Sequence, residues 1–346
     1  MPILRHLKAF LPLLGGLIML AVDVACHAQA DQASGPPLLS QADLDRLDTQ
    51  ASSLGRLHAV VIAERGEIRF ERAYGGKGVD RPTNIKSLSK TVLAALVGAA
   101  IQEGVIASPD QPIAELLGDR IPADVDSRVR EITVGHLLSL QAGLERTSGS
   151  NYGAWVASSD WVQDTLSRPF VDEPGGRMLY STGSSHLLSA AITRASGEST
   201  LALARRLLGE PLGIAIPAWP RDPQGIYFGG NDMRLSPRAL IQVGELYLND
   251  GIVNGLRVLP KGWVEASWQA RGSSPWTGDG YGYGWFVTEL ASETIYYGRG
   301  FGGQALYVIP ARKLSVAITA DPHPPSPGGE FQQELHALIE GMLGAE

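Results

Sequence analysis

Strand-like segments lie near both ends of this 346-residue chain, and helix-like segments fill the region between them. The helical pattern extends from Ser108 to about Pro237. This order predicts an α+β fold: an antiparallel β-sheet built from both ends of the chain, with a mostly helical inserted subdomain at about 108–237. The strand candidates are His58–Glu64, Glu67–Ala73, Tyr281–Glu289, Thr294–Tyr297, Gln304–Ile309 and Leu314–Thr319.

Two helix candidates flank these strands in the sequence, and we expect them to cover the sheet. They are Gln41–Leu54 and the amphipathic segment Glu330–Leu343. One further helix start is marked by Ser236-Pro237, a capping residue followed by proline at the first helical position. The other helix candidates are Ser87–Gly104, Glu131–Leu140, Tyr152–Leu166, Ser184–Ala195, Thr200–Leu208 and Pro237–Leu248.

The first 30 residues have the pattern of a secretory signal peptide. Basic residues precede an apolar run from Phe10 to Val22, and Ala28-Gln29-Ala30 offers a cleavage site. A membrane anchor is an alternative, but the apolar run is too short for a comfortable span. A lipoprotein ending at Cys26 is another alternative, disfavoured by Asp23, which stands where such signals have an apolar residue. We therefore predict a mature chain of residues 31–346 in the periplasm or outside the cell.

Composition excludes some classes of function. Cys26 is the only cysteine, so the mature chain has neither a disulfide nor a cysteine nucleophile. The formal net charge is −7, which gives nucleic-acid binding no electrostatic support. The histidines are scattered singly and no H-E-x-x-H or Walker A pattern occurs, so the sequence predicts no metal and no cofactor. The oligomeric state is not encoded in any pattern we identify.

Ser87 and Lys90 form an S-x-x-K pattern at the start of a long apolar segment. Residues three apart on a helix lie on one face, so the lysine amine can reach the serine hydroxyl. Apolar neighbours favour the neutral amine, which can take the proton that makes serine a nucleophile. The alternative is ordinary helix architecture, with Ser87 as an N-cap and Lys90 as a solvated side chain.

Two further segments carry candidate site residues. Tyr180 follows the turn Pro174-Gly175-Gly176, and a tyrosine there can act as a base if a cation such as Lys90 lowers its pKa; the alternative is a packing tyrosine. Tyr297–Gln304 is rich in glycine, so its backbone can approach a ligand and its amides can bind an oxyanion. It contains a literal G-x-G-x-x-G, but a strand follows rather than a helix, which excludes the dinucleotide interpretation.

These segments in this order resemble the serine β-lactamase and penicillin-binding superfamily. The similarity is to the class C-like branch, which includes family VIII esterases, D-aminopeptidase-like enzymes and 6-aminohexanoate-dimer hydrolases. It extends over roughly residues 45–342. Besides the Ser87 helix and Tyr180, the matching segments are Ile132–Ser139 with Ala142-Gly143-Leu144, Glu173-Pro174-Gly175, Leu187-Leu188, Gly197, Pro211–Ile214, Tyr281–Trp285, and Gly302-Gly303-Gln304 with Val308–Pro310.

The resemblance implies a role for each candidate. Ser87 would be the nucleophile, and Lys90 and Tyr180 its proton-transfer partners. The backbone amides of Ser87 and Phe301 would form the oxyanion hole, when Gly298-Arg299-Gly300 is aligned with the Lys-Thr-Gly strand of the family. The same alignment assigns substrate binding to Thr182, Arg299 and Gly300. Two interpretations of Arg299 stay open: it contacts a carboxylate of the substrate, or it is a solvated residue on the strand.

Two departures from the class C pattern concern substrate rather than chemistry. The Tyr-x-Asn motif ends here in Thr182, which offers no amide, and no Lys-Thr-Gly occurs. Both missing groups hold a β-lactam. We therefore expect a secreted serine hydrolase that cleaves a small ester or amide through an acyl-enzyme. The alternatives are a β-lactamase or D,D-peptidase, and a non-catalytic binding or sensor module on the same fold.

Overall fold

Eight strands from both ends of the chain form one antiparallel sheet in the computed structural model. The structure describes residues 38–76, 78–323 and 329–344. The spatial order of the strands is β2-β1-β12-β11-β10-β9-β8-β7, so the N-terminal hairpin pairs directly with the last strand. The strands are β1 (Leu57–Glu64), β2 (Glu67–Ala73), β7 (Gly272–Ser273), β8 (Gly280–Tyr281), β9 (Phe286–Leu290), β10 (Glu293–Gly300), β11 (Gln304–Ile309) and β12 (Leu314–Ala320).

Helices cover both faces of this sheet. On one face, α1 and α12 pack on each other and on a core that contains Tyr297, Tyr307 and Phe286. On the other face lie α2, α10 and the helices of the middle region, which share the larger core. The helices are α1 (Gln41–Ser53), α2 (Ser89–Gln102), α3 (Ile113–Leu117), α4 (Val134–Leu138), α5 (Tyr152–Val156), α6 (Trp161–Leu166), α7 (Thr182–Ser196), α8 (Thr200–Ala204), α9 (Glu210–Leu212), α10 (Pro237–Leu248), α11 (Trp263–Trp268) and α12 (Glu330–Leu343).

Short elements connect these layers. A π turn follows α8 directly, and small strand pairs join β3 with β4 and β5 with β6. The short elements are 3-10 turns at Lys86–Leu88, Gly118–Arg120, Ser127–Glu131, Gly149–Asn151 and Pro310–Arg312, the π turn Arg205–Gly209, and strands β3 (Thr83–Asn84), β4 (Arg234–Leu235), β5 (Ile252–Val253) and β6 (Leu256–Arg257).

The expected α+β architecture is confirmed, and most of the regular elements in the middle region from 108 to 237 are helices. Its boundary as a subdomain stays a prediction. The predicted signal peptide, residues 1–30, lies outside the described residues. In the described part of the chain, we find no helix with the length and apolar character needed to cross a membrane.

Several predicted elements are shorter or broken, each for a local reason. The predicted strand Tyr281–Glu289 divides into β8 and β9, because the chain turns between them: the Gly282 amide donates to the Trp285 carbonyl oxygen at 2.9 Å, and Gly284 has a φ of 76°. The predicted helix Glu131–Leu140 is a 3-10 turn and α4, divided where Thr133 caps α4. The predicted helix Tyr152–Leu166 divides into α5 and α6, because Asp160 accepts hydrogen bonds from the first amides of α6.

Candidate active site

Ser87 and Lys90 meet at the entry to α2, as the S-x-x-K spacing predicts. Lys90 Nζ lies 3.3 Å from Ser87 Oγ. Ser87 itself belongs to the 3-10 turn Lys86–Leu88, so the expected helix begins two residues later than predicted. Lys90 is buried in the first turn of α2, a helix with buried residues on every side, whereas Ser87 is half-buried. A small molecule can therefore reach the serine hydroxyl, whereas the lysine amine is shielded from solvent.

The turn that presents Ser87 is held in a strained conformation. Lys86 has a φ of 51°, in the left-handed region that non-glycine residues seldom adopt. Its amide donates to Asn84 Oδ1 at 2.8 Å, and its Nζ lies 3.1 Å from Asp232 Oδ1. Its carbonyl accepts a 2.5 Å hydrogen bond from Ser89 Oγ. These three contacts fix the backbone next to Ser87, as is common where strain accompanies function.

Lys90 makes hydrogen bonds that orient its amine. Its Nζ donates to the Gly230 carbonyl oxygen at 2.8 Å and to Thr182 Oγ1 at 3.4 Å. Burial lowers the pKa of Lys90, and the nearby Tyr180 and Asp232 oppose that effect in part. A neutral amine has two N–H groups and one lone pair. In that neutral state, N–H groups directed at Gly230 and Thr182 would leave the lone pair facing Ser87.

Tyr180 lies beside this lysine, two residues before α7. Lys90 Nζ is 4.9 Å from the centre of the Tyr180 ring. Trp276 packs edge-on against the other side of the ring, with ring centres 5.7 Å apart. Ser87, Lys90 and Tyr180 therefore lie together in the structure, as the sequence predicts. The catalytic role of each stays a prediction.

Gly300 lies against the Ser87 turn, and Phe301 follows it directly in the chain. A Cβ at Gly300 would lie 2.2 Å from the Ile85 carbonyl oxygen and 3.1 Å from the Leu88 amide nitrogen, so only glycine fits. Among the described residues, neither the Ser87 amide nor the Phe301 amide has an acceptor within the protein. Two free amides beside a serine are the donors that an oxyanion needs.

The other predicted substrate contacts lie in different surroundings. Thr182 is buried, and its hydroxyl contacts Lys90 and Ser148 Oγ, the latter at 3.0 Å. Arg299 lies on the sheet face opposite Gly298 and Gly300, with its guanidinium carbon 5.1 Å from the centre of the Phe286 ring. Thr182 thus contacts Lys90, and Arg299 contacts the core beneath α12. Their assignment to substrate binding stays a prediction.

The missing lysine of the family strand has a steric explanation. Gly298 stands at that position, and a Cβ there would lie 2.2 Å from Thr91 Oγ1 and 2.5 Å from Leu88 Cδ1. Strand β10 therefore packs directly on α2. A lysine at this position would require the strand and the helix to separate.

Sequence reasoning missed several residues of the site. Gly230 binds the lysine amine through its carbonyl, and Asp232 has a φ of 58° and pairs with Lys86. The available signal was the turn-like run Gly229-Gly230-Asn231-Asp232. Ser148 and Trp276 had no such signal, because single polar or aromatic residues in loops are common. No cluster of three or more potential metal ligands occurs among the residues that the structure describes.

The chain is similar to known hydrolases. The chain is 23% identical over 333 residues to a 6-aminohexanoate-dimer hydrolase of Paenarthrobacter ureafaciens, covering 86% of this chain and 82% of that protein. It is 28% identical over 198 residues to Esterase EstB of Burkholderia gladioli, covering 50% of each. Among solved structures, EstCE1, a hydrolase with promiscuous acyltransferase activity, superimposes with a TM-score of 0.70 at 20% identity, covering 87% of this chain and 100% of that one.

The family model described as Beta-lactamase matches residues 58–339, which is most of the chain. The resemblance inferred from the sequence and the expected fold are both confirmed, and the named relatives are an amide hydrolase and an esterase. This protein belongs to the Beta-lactamase family of serine hydrolases.

Proposed function

We propose that this protein hydrolyses a small ester or amide through an acyl-enzyme on Ser87. The observation that carries the proposal is the buried Lys90 amine, 3.3 Å from Ser87 Oγ, with its remaining contacts directed to Gly230 and Thr182. A buried amine with a lowered pKa, next to a reachable hydroxyl, is an activated nucleophile pair.

The reaction follows from this geometry. Ser87 Oγ attacks the substrate carbonyl carbon while its proton passes to Lys90 Nζ. The developing oxyanion accepts hydrogen bonds from the Ser87 and Phe301 amides. Lys90 returns a proton to the leaving alcohol or amine, with Tyr180 beside it as the second proton-transfer group. Water then attacks the acyl carbon and gives its proton to Lys90 Nζ. The bond to Ser87 Oγ breaks, the serine takes that proton back, and the acid leaves.

The mouth of the site favours substrates with an apolar group. Trp276 is 53% exposed and Phe301 is 57% exposed, whereas most aromatic side chains of the described residues are largely buried. Trp276 contacts the Tyr180 ring, and Phe301 follows Gly300, which lies against the turn that carries Ser87. An exposed aromatic pair beside a nucleophile offers contact area to an apolar acyl or alcohol group.

A β-lactamase or D,D-peptidase is the second candidate within the same chemistry. Gly298 leaves no lysine on β10, and the Thr182 hydroxyl is already engaged by Lys90 and Ser148. The two polar groups that hold a β-lactam in class C enzymes are therefore missing from this cleft. A non-catalytic binding module is less compatible with the arrangement, since binding alone requires no buried amine on the serine.

We also propose that the protein acts in the periplasm or outside the cell, after cleavage near Ala30. The support is the basic residues, apolar run and Ala28-Gln29-Ala30 of the N-terminus. N-terminal sequencing of the protein recovered from periplasmic and culture fractions tests this. A first residue other than one near Asp31 argues against cleavage at this site.

Two labelled inhibitors separate the candidate functions. A fluorophosphonate reports an activated serine, and a labelled penicillin reports a site that also recognises β-lactams. We expect labelling by the fluorophosphonate and little by penicillin. Labelling by both supports a penicillin-recognising enzyme, and labelling by neither supports a binding module and contradicts the proposal.

A further inference from the structure

A buried histidine and aspartate lie directly behind the catalytic lysine. The side chains of His186 and Asp222 are both fully buried, and His186 Nε2 is 3.0 Å from Asp222 Oδ2. On the other side of the ring, Nδ1 accepts a 3.2 Å hydrogen bond from the Gly229 amide. Because the amide must donate, Nδ1 carries no proton, and Nε2–H donates to the carboxylate.

Gly229 and Gly230 connect this pair to Lys90. The Gly230 carbonyl accepts the 2.8 Å hydrogen bond from Lys90 Nζ, and Gly229 precedes it in the chain. A Cβ at Gly229 would lie 2.3 Å from the Ser185 carbonyl oxygen, and one at Gly230 would lie 2.8 Å from Lys90 Cγ. The two glycines are thus wedged between α7 and the lysine. A small rotation of the Gly229 peptide would move the Gly230 carbonyl.

Aromatic side chains hold the His186 ring in place. Trp155, Trp161 and Phe228 each meet the ring edge-on, with centres 6.0, 5.3 and 6.0 Å away. The ring therefore has little freedom to turn away from Gly229. Asp222 is fixed as well, because its Oδ1 accepts hydrogen bonds from the Gln224 and Ile226 amides, both within 2.9 Å.

We propose that His186 and Asp222 are positioning residues for Lys90. They hold the Gly229–Gly230 backbone so that the Gly230 carbonyl takes one N–H of the neutral amine. The lone pair then stays directed at Ser87 Oγ. This inference rests on the proposed function of Ser87 and Lys90 in acyl transfer, and it assigns to the buried pair a role that neither residue performs by touching substrate.

Asp222→Asn is the most specific test. The Asn oxygen can keep the bonds from Gln224 and Ile226, which leaves its NH2 group facing His186 Nε2. The histidine must then carry its proton on Nδ1, directed at the Gly229 N–H. The two donors repel each other, and the Gly230 carbonyl shifts. His186→Phe is the second variant, since it keeps a ring within the aromatic cluster but removes both polar contacts.

Ser189→Ala provides the matched control. Ser189 is buried on the same helix, and its hydroxyl donates to the Tyr227 carbonyl oxygen in the same loop, but in the described part of the chain it has no hydrogen bond to Gly229 or Gly230. Loss of its bond reproduces general loosening of this region without altering the position of Lys90.

The measurement is the rate of fluorophosphonate labelling of Ser87 as a function of pH, normalised to the folded fraction. Tyr180 and Asp232 are the titratable groups that face Lys90, and they are unchanged in all three variants. We expect Asp222→Asn and His186→Phe to label about 10²-fold more slowly, the loss typical of a reacting group displaced by about 1 Å. We also expect the acid limb of the pH profile to move in both variants and to stay in place in Ser189→Ala.

Two negative results have different meanings. If the wild-type protein is not labelled at Ser87, the proposed function itself fails. If the wild type is labelled, and a folded Asp222→Asn or His186→Phe variant keeps its rate and acid limb, only the positioning role is overturned. Should Asp222→Asn fail to fold, His186→Phe decides the question alone.

Discussion

Lys90 Nζ lies 3.3 Å from Ser87 Oγ, and this contact joins a buried amine to a half-buried hydroxyl. The two residues belong to different elements, since Ser87 is the middle residue of a strained 3-10 turn and Lys90 lies in the first turn of a buried helix. The fold thereby combines access at one residue with desolvation at the other.

The activity should depend on pH through Lys90. Burial lowers the pKa of Lys90 from its usual 10.5, and only the neutral amine can accept the serine proton. Activity is therefore lost as pH falls through the lowered pKa and reaches its plateau above it. We expect the acid limb of kcat/KM on a p-nitrophenyl ester to have its midpoint below 10.5, after correction for spontaneous hydrolysis. A rate that rises only around 10.5 would mean that the lysine is solvated.

Tyr180→Phe should reduce acylation while leaving stability unchanged. The substitution removes only the hydroxyl, and proton transfer by a positioned side chain contributes about 10²–10⁴-fold to a rate. The ring contacts with Lys90 and Trp276 remain. Burst kinetics on a p-nitrophenyl ester and a thermal melt measure the two quantities.

Tyr297→Phe is the control for Tyr180→Phe, because we expect it to change stability and not the acylation rate. Its hydroxyl donates a 2.5 Å hydrogen bond to Asp279, and its ring lies in the core that α12 covers. We expect it to lose about 1.5–3 kcal/mol of stability, the usual worth of a hydrogen bond to a charged group, and to keep its acylation rate. A Tyr180→Phe variant that behaves like wild type in both assays would support a packing role.

Gly298→Ala should destabilise the protein, because its Cβ would lie 2.2 Å from Thr91 Oγ1. Overpacking of this kind costs about 1–3 kcal/mol in the free energy of unfolding. Gly55→Ala is the matched control, since nothing lies within 4 Å of its Cβ position, and we expect a change within about 0.5 kcal/mol. Urea denaturation measures both. Equal stabilities would show that β10 can move away from α2 and that a lysine there is sterically possible.

Two arginines compete as the contact for an anionic substrate. Arg299 lies on the far face of the sheet, whereas the exposed Arg146 has its guanidinium carbon 5.9 Å from the ring centre of Trp276, at the mouth of the site. We expect Arg146→Ala to raise KM about tenfold for a p-nitrophenyl monoester of a dicarboxylic acid, a loss of about 1.4 kcal/mol, and not for a neutral ester. Arg299→Ala should affect both esters equally. The reverse pattern would restore the sequence-based assignment of Arg299.

The sequence predicted the parts of this structure that depend on local pattern. Hydrophobic periodicity located β11, α10 and α12 at their exact bounds, and the S-x-x-K spacing located the lysine beside the serine. The left-handed conformations of Lys86 and Asp232 were not predictable, because tertiary contacts between these two residues impose them against their intrinsic preference. The Gly230 carbonyl was missed because every residue has a backbone acceptor, so the sequence does not indicate which one binds the lysine. His186 was visible only as a single histidine, and its role depends on Asp222 and Gly229, 36 and 43 residues away.

The central claim is that Ser87 forms the covalent acyl-enzyme. Peptide mapping by mass spectrometry, after a brief reaction with a p-nitrophenyl ester and acid quench, tests it most directly. We predict an acyl mass increase on the peptide containing Ser87 in the wild type, and neither adduct nor measurable turnover in Ser87→Ala. An adduct on another residue, or a Ser87→Ala variant that still hydrolyses the ester at the wild-type rate, would contradict the account.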